Sequence, residues 1–219
     1  MKQYHKINSI FKRDMVQKSH PFIMGAYADP AVEYLQHNEW EWTEKVDGTN
    51  IRIMWDGLTI AFGGKTDNAQ LPPKLLAHLC EVFISNNNII ELLIDMFPDG
   101  NACLYGEGFG HKIQGKVGLD YLGEGNNGFY LFDIMVNGLW LTRESVVDIG
   151  EKLGLILPVV HGHGTIDDAI NEVQAGFKSH FGTADAEGLV LRPMEELLDR
   201  RGNRIITKVK HRDFKEATA

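Results

Sequence analysis

Short apolar runs joined by tight-turn dipeptides restrict the fold of this chain more than any other sequence feature. Asp56-Gly57 and Asn137-Gly138 each lie between two such runs. Both dipeptides suit a two-residue hairpin turn, because Asn, Asp and Gly tolerate the positive φ angles that this turn requires. The sequence therefore predicts antiparallel strands, which cover residues 51–55, 58–62, 102–105, 128–136 and 139–141.

Segments with the helical spacing of apolar residues lie between the predicted strands. Pro72-Pro73 opens one such segment, and a second apolar helix is predicted over residues 89–97. Two later helices are predicted from their end residues, which are Thr142 and Thr165 at the N-termini and Gly154 and Gly176 at the C-termini. Hairpins with helices grouped between them are typical of an α+β fold with antiparallel sheets and flanking helices.

The size and composition of the chain fit one globular core. At 219 residues and 43% hydrophobic content, the chain is long enough for one sizeable core and short for two. We therefore expect a single domain over residues 1–219. Cys80 and Cys103 lie in apolar surroundings, and no apolar N-terminal run resembles a signal peptide or a membrane span. We expect a reducing, cytoplasmic location and no membrane partner.

Lys45 is the most informative single residue for chemistry. It stands between an aromatic-rich probable strand and a tight polar turn, in the stretch Glu44-Lys45-Val46-Asp47-Gly48-Thr49-Asn50. A lysine is a candidate covalent nucleophile only when it is unprotonated, and a free lysine has a pKa near ~10.4, so nearby cations are needed. Lys208 and Lys210 are such cations, because strand alternation points both to one face. Solvated turn lysines and exposed edge strands show the same patterns.

Two other patterns suggest sites that we reject. His161-Gly162-His163-Gly164 lacks further ligands at the spacing of a zinc site, so we expect a flexible surface loop there. Gly106-x-Gly108-x-Gly110 has the glycine spacing of a dinucleotide fingerprint, but no βαβ unit or downstream acidic partner accompanies it. These glycines are instead expected to permit the close approach of a ligand.

Five motifs follow one another along the chain, and their order is informative. They are Lys45-Val46-Asp47-Gly48, Tyr105-Gly106-Glu107-Gly108, Phe129-Tyr130-Leu131-Phe132-Asp133-Ile134, Glu187-Gly188-Leu189-Val190-Leu191-Arg192-Pro193 and Lys208-Val209-Lys210. The series resembles the covalent nucleotidyltransferase superfamily of ligases and capping enzymes, over residues 42–214. Thr49-Asn50 and Gly202-Asn203-Arg204 are most similar to the RNA ligase 2 type of polynucleotide ligase. The resemblance implies the ATP-grasp-like nucleotidyltransferase domain of ligases, with antiparallel sheets around a nucleotide cleft.

The resemblance assigns chemical roles to the charged residues of these motifs. It implies that Lys45 attacks the α-phosphate of ATP to give lysyl-AMP, while Lys208 and Lys210 stabilise negative charge on that phosphate. Glu187 is implied to position the metal, Mg²⁺ or Mn²⁺, through water. Asp133 is a weaker metal candidate with a structural alternative.

The resemblance also implies a set of nucleotide-binding residues, which are Glu44, Lys45, Asn50, Lys65, Glu107, Phe132, Glu187, Lys208 and Lys210. In this set Glu107 contacts the ribose, Phe132 stacks on the base, and Asn50 contacts a phosphate. Lys65 stands where related enzymes often have arginine, so the charge is kept but bidentate phosphate binding is lost.

The implied function is an ATP-dependent RNA ligase that joins RNA 5′-phosphate and 3′-hydroxyl ends, as in RNA repair. The alternatives are a DNA ligase, a GTP-using capping-type nucleotidyltransferase, and a non-enzymatic nucleotide- or RNA-end-binding module. Related enzymes usually carry a C-terminal accessory domain, and we expect none here, with strand recognition absent or supplied by an accessory strand-binding protein.

The charge of the chain bears on how RNA is held. The net charge of −8 is unexpected for a protein that binds a polyanion, since lysines and arginines usually dominate nucleic-acid affinity. Basic residues concentrate over 2–18 and 200–215, which allows a basic rim around one cleft. The roles of Arg52 and Arg192 stay open between ligand contacts and outward-pointing strand residues.

Overall fold

The computed structural model describes residues 3–115 and 121–215 of the chain. Their elements in chain order are β1 (Asn8–Ser9), β2 (Phe11–Arg13), β3 (Phe22–Tyr27), α1 (Pro30–Tyr34), β4 (Trp40–Lys45), β5 (Thr49–Trp55), β6 (Ile60–Gly63), α2 (Pro73–Phe83), α3 (Asn87–Met96), β7 (Ala102–Gly110), β8 (Asn127–Val136), β9 (Leu139–Trp140), α4 (Arg143–Lys152), β10 (Val160–Gly164), α5 (Ile166–Ala175), β11 (Gly188–Pro193), β12 (Thr207–Lys210) and α6 (Arg212–Lys215). None of these helices is both long and apolar enough to cross a membrane.

The described residues form two compact units, which we name after one residue of each. The Glu107 unit contains residues 3–5, 47–115, 121–158 and 181–183. The Lys45 unit contains residues 6–46, 159–180 and 184–215. The single domain expected over the whole chain stays a prediction.

The Glu107 unit is built on a five-stranded sheet in the order β6-β5-β7-β8-β9, and its strand pairs are antiparallel. One face packs on α2, α3 and α4, where Leu75, Leu79 and Leu93 lie against Ile51 and Leu131. Burial of these apolar side chains is the main force that stabilises the unit. Of the predicted nucleotide-binding residues, Asn50 and Glu107 are cross-strand partners on the opposite face, and Phe132 packs against the buried cluster of Cys103, Tyr105 and Met135.

The Lys45 unit contains a second five-stranded sheet, in the order β1-β12-β11-β4-β10. β1 pairs with β12 in parallel, and the other neighbours are antiparallel. One face is covered by α5, whose Ile166 and Val173 belong to the same buried cluster as Trp40, Leu189 and Val209. This packing fixes β4 and β12, which carry the lysine motifs, and β11 between them.

Most local predictions are confirmed. Asn137 and Gly138 form a two-residue turn with φ angles of 50° and 82°, and the α+β class with antiparallel sheets is observed. Thr165 caps α5 with its side chain, and Gly176 ends that helix. The turn at Asp56 is longer than predicted and spans residues 56–59, because its carboxylate accepts hydrogen bonds from the backbone N–H groups of residues 58 and 59 at 2.8 and 2.6 Å.

The loop expected over His161-Gly162-His163-Gly164 is wrong. These residues lie in strand β10, which pairs with β4 at the edge of the Lys45-unit sheet. His161 stacks on Phe177 with ring centroids 3.9 Å apart, and its Nε2 lies 2.8 Å from Glu172 Oε1. The strand forms through its pairing with β4. Because β4 lies far away in sequence, local composition does not reveal this partner.

Candidate active site

Three neighbouring strands of the Lys45 unit place two lysines on either side of a glycine. Lys45 on β4 pairs with Gly188 on β11, and Gly188 pairs with Lys210 on β12. Directly paired residues of antiparallel strands point to one face, so Lys45 and Lys210 share a face. A Cβ atom at position 188 would lie 2.1 Å from the carbonyl oxygen of Val209. Glycine is therefore required in the middle of this row.

The carboxylate of Glu187 joins the two lysines. Its Oε2 accepts a hydrogen bond from Nζ of Lys45, and its Oε1 accepts one from Nζ of Lys210. The side chains of Lys45, Lys210 and Glu187 are only 20%, 15% and 9% exposed. Two positive charges and one negative charge thus lie together where water screens them little. We call Lys45, Glu187 and Lys210 the charge cluster.

The charge cluster sets the protonation of Glu187. Burial raises the pKa of the Glu187 carboxyl, but the charges and hydrogen bonds of Lys45 and Lys210 together exceed this effect and leave the pKa below its ordinary value. Glu187 is therefore an anion at neutral pH. An ammonium group that donates to this anion has no lone pair with which to attack phosphorus, so attack by Lys45 requires that this contact be released.

Lys208 lies on the same strand face as Lys210, as predicted from alternation. Thr207 and Val209 are buried, whereas Lys208 and Lys210 are half-buried, along β12. Lys208 pairs with Val190 and therefore stands two residue pairs further along the sheet than Lys210, which pairs with Gly188. The two lysines predicted to flank one site are thus presented together by a single strand.

Glu44 points to the opposite face of β4 from Lys45. Its side chain is fully buried, and Oε2 lies 2.8 Å from both the backbone N and the Nδ1 atom of His180. Glu44 therefore anchors the segment around His180 to the strand that carries Lys45. The predicted nucleotide contact of Glu44 stays a prediction. No local sequence signal indicates His180, which is 136 residues from its partner.

Asn50 and Glu107 meet in the Glu107 unit, where they are direct cross-strand partners on β5 and β7. The Oδ1 atom of Asn50 is a buried acceptor without a hydrogen-bond partner among residues 3–115 and 121–215. Such an orphaned acceptor fits a hydroxyl or N–H donor of a ligand. A Cβ atom at Gly48 would lie 2.7 Å from Cγ of Glu107, so glycine lets this turn pack against the glutamate.

Gly106 and Gly108, on either side of Glu107, serve core packing, and the ligand approach expected at these glycines stays a prediction. A Cβ atom at Gly106 would lie 2.3 Å from the ring of Phe129, and one at Gly108 would lie 2.4 Å from Leu75. Both clashes are with side chains of the core. The glycines are therefore needed because large apolar side chains press against β7.

Phe132 lies in a β-bulge of β8. Tyr105 pairs with Asp133 but Gly106 pairs with Leu131, so Phe132 is the extra residue on β8. Its half-buried ring packs edge-on to Tyr4, with centroids 5.0 Å apart. The hydroxyl of Tyr4 donates to the buried carboxylate of Asp133. Asp133 therefore has a structural contact, and sequence reasoning missed Tyr4 because it lies 129 residues away.

Lys65 and the two arginines with open roles have distinct surroundings. Lys65 is exposed in the turn that follows β6. Arg52 is buried on β5 and donates to the carbonyl of Gly64 and to Asp67. Arg192 is half-buried on β11, with Nη1 4.0 Å from Glu196. Among the described residues, no group of three or more His, Cys, Asp or Glu side chains is arranged to hold a metal ion.

Comparison with known proteins connects this geometry to a family. The model of the RNA ligase family matches residues 38–210, which is most of the chain. No curated protein matches the chain.

Solved structures of Naegleria gruberi RNA ligase share the fold. An apo variant aligns with a TM-score of 0.63 and 19% identity, covering 99% of this chain and 59% of that protein. A variant solved with ATP and Mn has a TM-score of 0.63 and 19% identity, over 98% and 59% of the two chains. A third, with AMP and Mn, has a TM-score of 0.61 and 20% identity, over 98% and 59%. The chain thus spans about three fifths of the length of these proteins.

Proposed function

This chain belongs to the RNA ligase family, and we propose that it is an ATP-dependent RNA ligase acting through a lysyl-AMP on Lys45. The charge cluster is the observation that carries the proposal. It combines a nucleophile on β4 and a charge-stabilising cation on β12 with an anion immediately before the strand between them, β11. Binding alone does not require a reactive lysine between such groups.

In the first step Lys45 leaves Glu187, loses its proton to water and attacks the α-phosphorus of ATP. A bond forms between Nζ and phosphorus, the bond from that phosphorus to the bridging oxygen breaks, and pyrophosphate leaves. Lys210 and Lys208, on one strand face, stabilise the negative charge that develops on the phosphoryl oxygens. The nucleotide remains on Lys45 as a phosphoramidate.

The proposed metal is Mg²⁺ or Mn²⁺, held near Glu187. A single carboxylate fits these ions, because Mg²⁺ keeps several waters and combines few carboxylates with substrate phosphates. When bound, the ion neutralises phosphate charge and acts as a Lewis acid. Naegleria gruberi RNA ligase was solved with ATP and Mn, which supports the same requirement here.

Within the Glu107 unit we propose nucleotide recognition by the sheet face that carries Asn50 and Glu107. Glu107 accepts hydrogen bonds from the ribose hydroxyls, and Asn50 uses its unpartnered acceptor for a donor of the ligand. Phe132, the extra residue of the bulge on β8, stacks on the base. Lys65 places its positive charge next to a phosphate group.

In the later steps the enzyme joins two RNA ends. An oxygen of the 5′-phosphate attacks the AMP phosphorus, the nitrogen–phosphorus bond breaks, and Lys45 regains a proton. The 3′-hydroxyl then loses its proton and attacks the 5′-phosphorus, which releases AMP. We propose a role in RNA repair in a reducing, cytoplasmic compartment, which the free thiols of Cys80 and Cys103 support.

Intact-protein mass spectrometry tests the covalent step. The purified protein is incubated with Mg²⁺ or Mn²⁺ and with ATP, GTP or NAD in turn. We expect one added AMP from ATP, none in Lys45→Ala, and none in Lys45→Arg, because guanidinium stays protonated. Lys178→Ala, which removes an exposed lysine of the same unit, is the matched control and keeps the adduct. A guanylyl adduct would favour a capping enzyme, and nucleotide binding without any adduct would favour a binding module.

Strand joining is tested separately with end-labelled oligonucleotides. RNA and DNA strands with a 5′-phosphate or a 5′-hydroxyl are presented with a 3′-hydroxyl end. We expect joining of RNA 5′-phosphate ends only. Efficient joining of all-DNA nicks would replace the proposal by a DNA ligase.

A further inference from the structure

Arg52 is an almost fully buried cation in the Glu107 unit. Its side chain is 2% exposed. Nε donates to the carbonyl oxygen of Gly64 at 2.8 Å, and Nη2 donates to Oδ1 of Asp67 at 2.7 Å. One guanidinium therefore holds both ends of residues 64–67, which we call the Lys65 turn.

These contacts give a third answer to the open role of Arg52. A side chain so deeply buried is neither an outward-pointing strand residue nor a group that a dissolved ligand reaches. A buried guanidinium is tolerated because its planar fork is satisfied by a carbonyl and a carboxylate. Asp67 is itself 75% exposed, and its pKa is lowered by hydrogen bonds from Arg52 and then Gln3. The ion pair is thus formed at neutral pH.

The Lys65 turn is also packed tightly on itself. A Cβ atom at Gly64 would lie 2.7 Å from the Cβ of Ala69, and the N–H of Ala69 donates to the carbonyl of Thr66 at 3.1 Å. Within this restrained backbone, Lys65 is exposed. A flexible lysine contributes more to binding when its backbone is already fixed, because less conformational entropy is lost.

We propose that Arg52, through Gly64 and Asp67, is a positioning residue that fixes the Lys65 turn so that Lys65 presents its ammonium group to a phosphate. The proposal rests on the proposed function for the identity of the ligand. The phosphate belongs either to ATP or to the 5′ end of the RNA. Arg52 itself makes no contact with substrate.

Asp67→Asn is the first test, because an exposed side chain is replaced without a cavity. We expect it to weaken phosphate binding on the order of tenfold, with little change in the rate constant at saturation. Lys65→Ala should have a similar effect, and adding Asp67→Asn to Lys65→Ala should change nothing further. Arg52→Lys should weaken phosphate binding as much as Asp67→Asn does. Lysine keeps the positive charge but lacks the planar guanidinium that donates to both Gly64 and Asp67. Additive effects of Asp67 and Lys65 would overturn the proposal.

Asp56→Asn is the matched control in the turn at the other end of the β5–β6 pair. Its carboxylate also accepts hydrogen bonds, but from the backbone N–H groups of residues 58 and 59 and not from an arginine. We expect phosphate binding to stay as in the unmodified protein. A loss equal to that of Asp67→Asn would mean that the hairpin as a whole, and not the Arg52 contact, sets the affinity.

Calorimetry identifies the source of the phosphate. ATP is compared with adenosine, and 5′-phosphorylated RNA with 5′-hydroxyl RNA, using Lys45→Ala so that no covalent step intervenes. Asp67→Asn should weaken only the phosphorylated member of one pair. Equal weakening of both members, or of neither, would refute the proposal. If Lys45 forms no adduct but ATP binding depends on Asp67, the proposed function fails and this inference stands.

Amide hydrogen exchange measures the restraint without any ligand. Arg52→Lys and Asp67→Asn should speed exchange at residues 64–67 by about tenfold, while residues of β7 keep their rates. Unchanged exchange in the Lys65 turn would show that Arg52 does not fix it.

Discussion

The charged and polar groups of the two units differ in what they contact. In the Lys45 unit, the ammonium groups of Lys45 and Lys210 donate to Glu187, so the charge cluster largely neutralises itself. In the Glu107 unit, Asn50 has a buried acceptor without a partner among the described residues, and Lys65 is exposed. The proposed reactive groups thus contact one another, whereas, within the described part of the chain, Asn50 keeps an unpartnered acceptor and Lys65 is exposed. Variants of the two units should therefore fail in different ways.

Removal of one cation from the Lys45 unit should have the largest effect. Lys210→Ala and Lys208→Ala should each slow adenylylation at saturating ATP by about 10²-fold or more, because charge on the phosphate loses its stabilisation. Single-turnover mass spectrometry over a range of ATP concentrations measures this. Full rescue by raised ATP would mean that these lysines only bind the nucleotide, and the contrast between the units would disappear.

The charge cluster should also contribute to stability in a pH-dependent way. Burial raises the pKa of Glu187, but the two lysines outweigh it and bring the pKa below its ordinary value of 4.5. A lowered pKa stabilises the fold above that value, and this contribution is lost as the pH falls through the folded-state pKa. We expect Glu187→Gln to reduce the free energy of unfolding by about 2 kcal/mol at pH 7, less than the ~3–5 kcal/mol of fully buried pairs. The difference should shrink below pH 4.5.

Urea unfolding at pH 7 and at lower pH measures this difference. Asp185→Asn is the control, because the Lys178–Asp185 pair of the same unit is 71% and 75% exposed. An exposed pair contributes little, so this variant should be nearly neutral at both pH values. If Glu187→Gln and Asp185→Asn changed the free energy of unfolding equally, the contacts within the charge cluster would not contribute to stability.

Salt should separate RNA joining from the reaction with ATP. Joining of pre-adenylylated RNA should fall on the order of tenfold between roughly 50 and 200 mM salt, while self-adenylylation barely changes, because only the former needs a polyanion to bind. The net charge of −8 offers little general attraction for RNA. Pre-adenylylated RNA should also be joined more readily than 5′-phosphorylated RNA. Equal salt dependence of both reactions would indicate a strong RNA-binding surface.

The smallest effect is expected from the base contact in the Glu107 unit. Phe132→Ala should raise the KM for ATP by about five- to tenfold through lost stacking, with little change in kcat. Leu139→Ala, which truncates a 73% exposed side chain of the same sheet, is the control. A large fall in kcat would place Phe132 with the reactive groups and weaken the contrast between the units.

Sequence rules that use neighbouring residues predicted the turns and helix caps that neighbouring residues determine. The turn at Asn137-Gly138 and the cap at Thr165 depend on neighbouring residues, and both are confirmed. Strand β10 was missed because two histidines and two glycines form a strand only through pairing with β4.

In the candidate active site, too, local contacts were predicted from the sequence and long-range contacts were not. Strand alternation predicted that Lys208 and Lys210 share a face, which the structure confirms. The resemblance assigns Glu187 to catalysis, nucleotide binding and the metal, but its contact with Lys45 has no local sequence signal, since the two residues are 142 positions apart. The Glu44–His180 contact spans 136 residues and also has no local signal. Long-range polar contacts depend on the sheet register, which the sequence specifies only through the whole fold.

Peptide mapping after reaction with ATP tests the central claim most directly. The protein is incubated with ATP and Mg²⁺, digested, and each lysine-containing peptide is analysed by tandem mass spectrometry. We predict one AMP, attached to Lys45, with Lys208 and Lys210 unmodified. Glu187→Gln should not move the label to another lysine. AMP on Lys210 instead of Lys45, or a label that persists in Lys45→Ala, would contradict the assignment of Lys45 as the nucleophile.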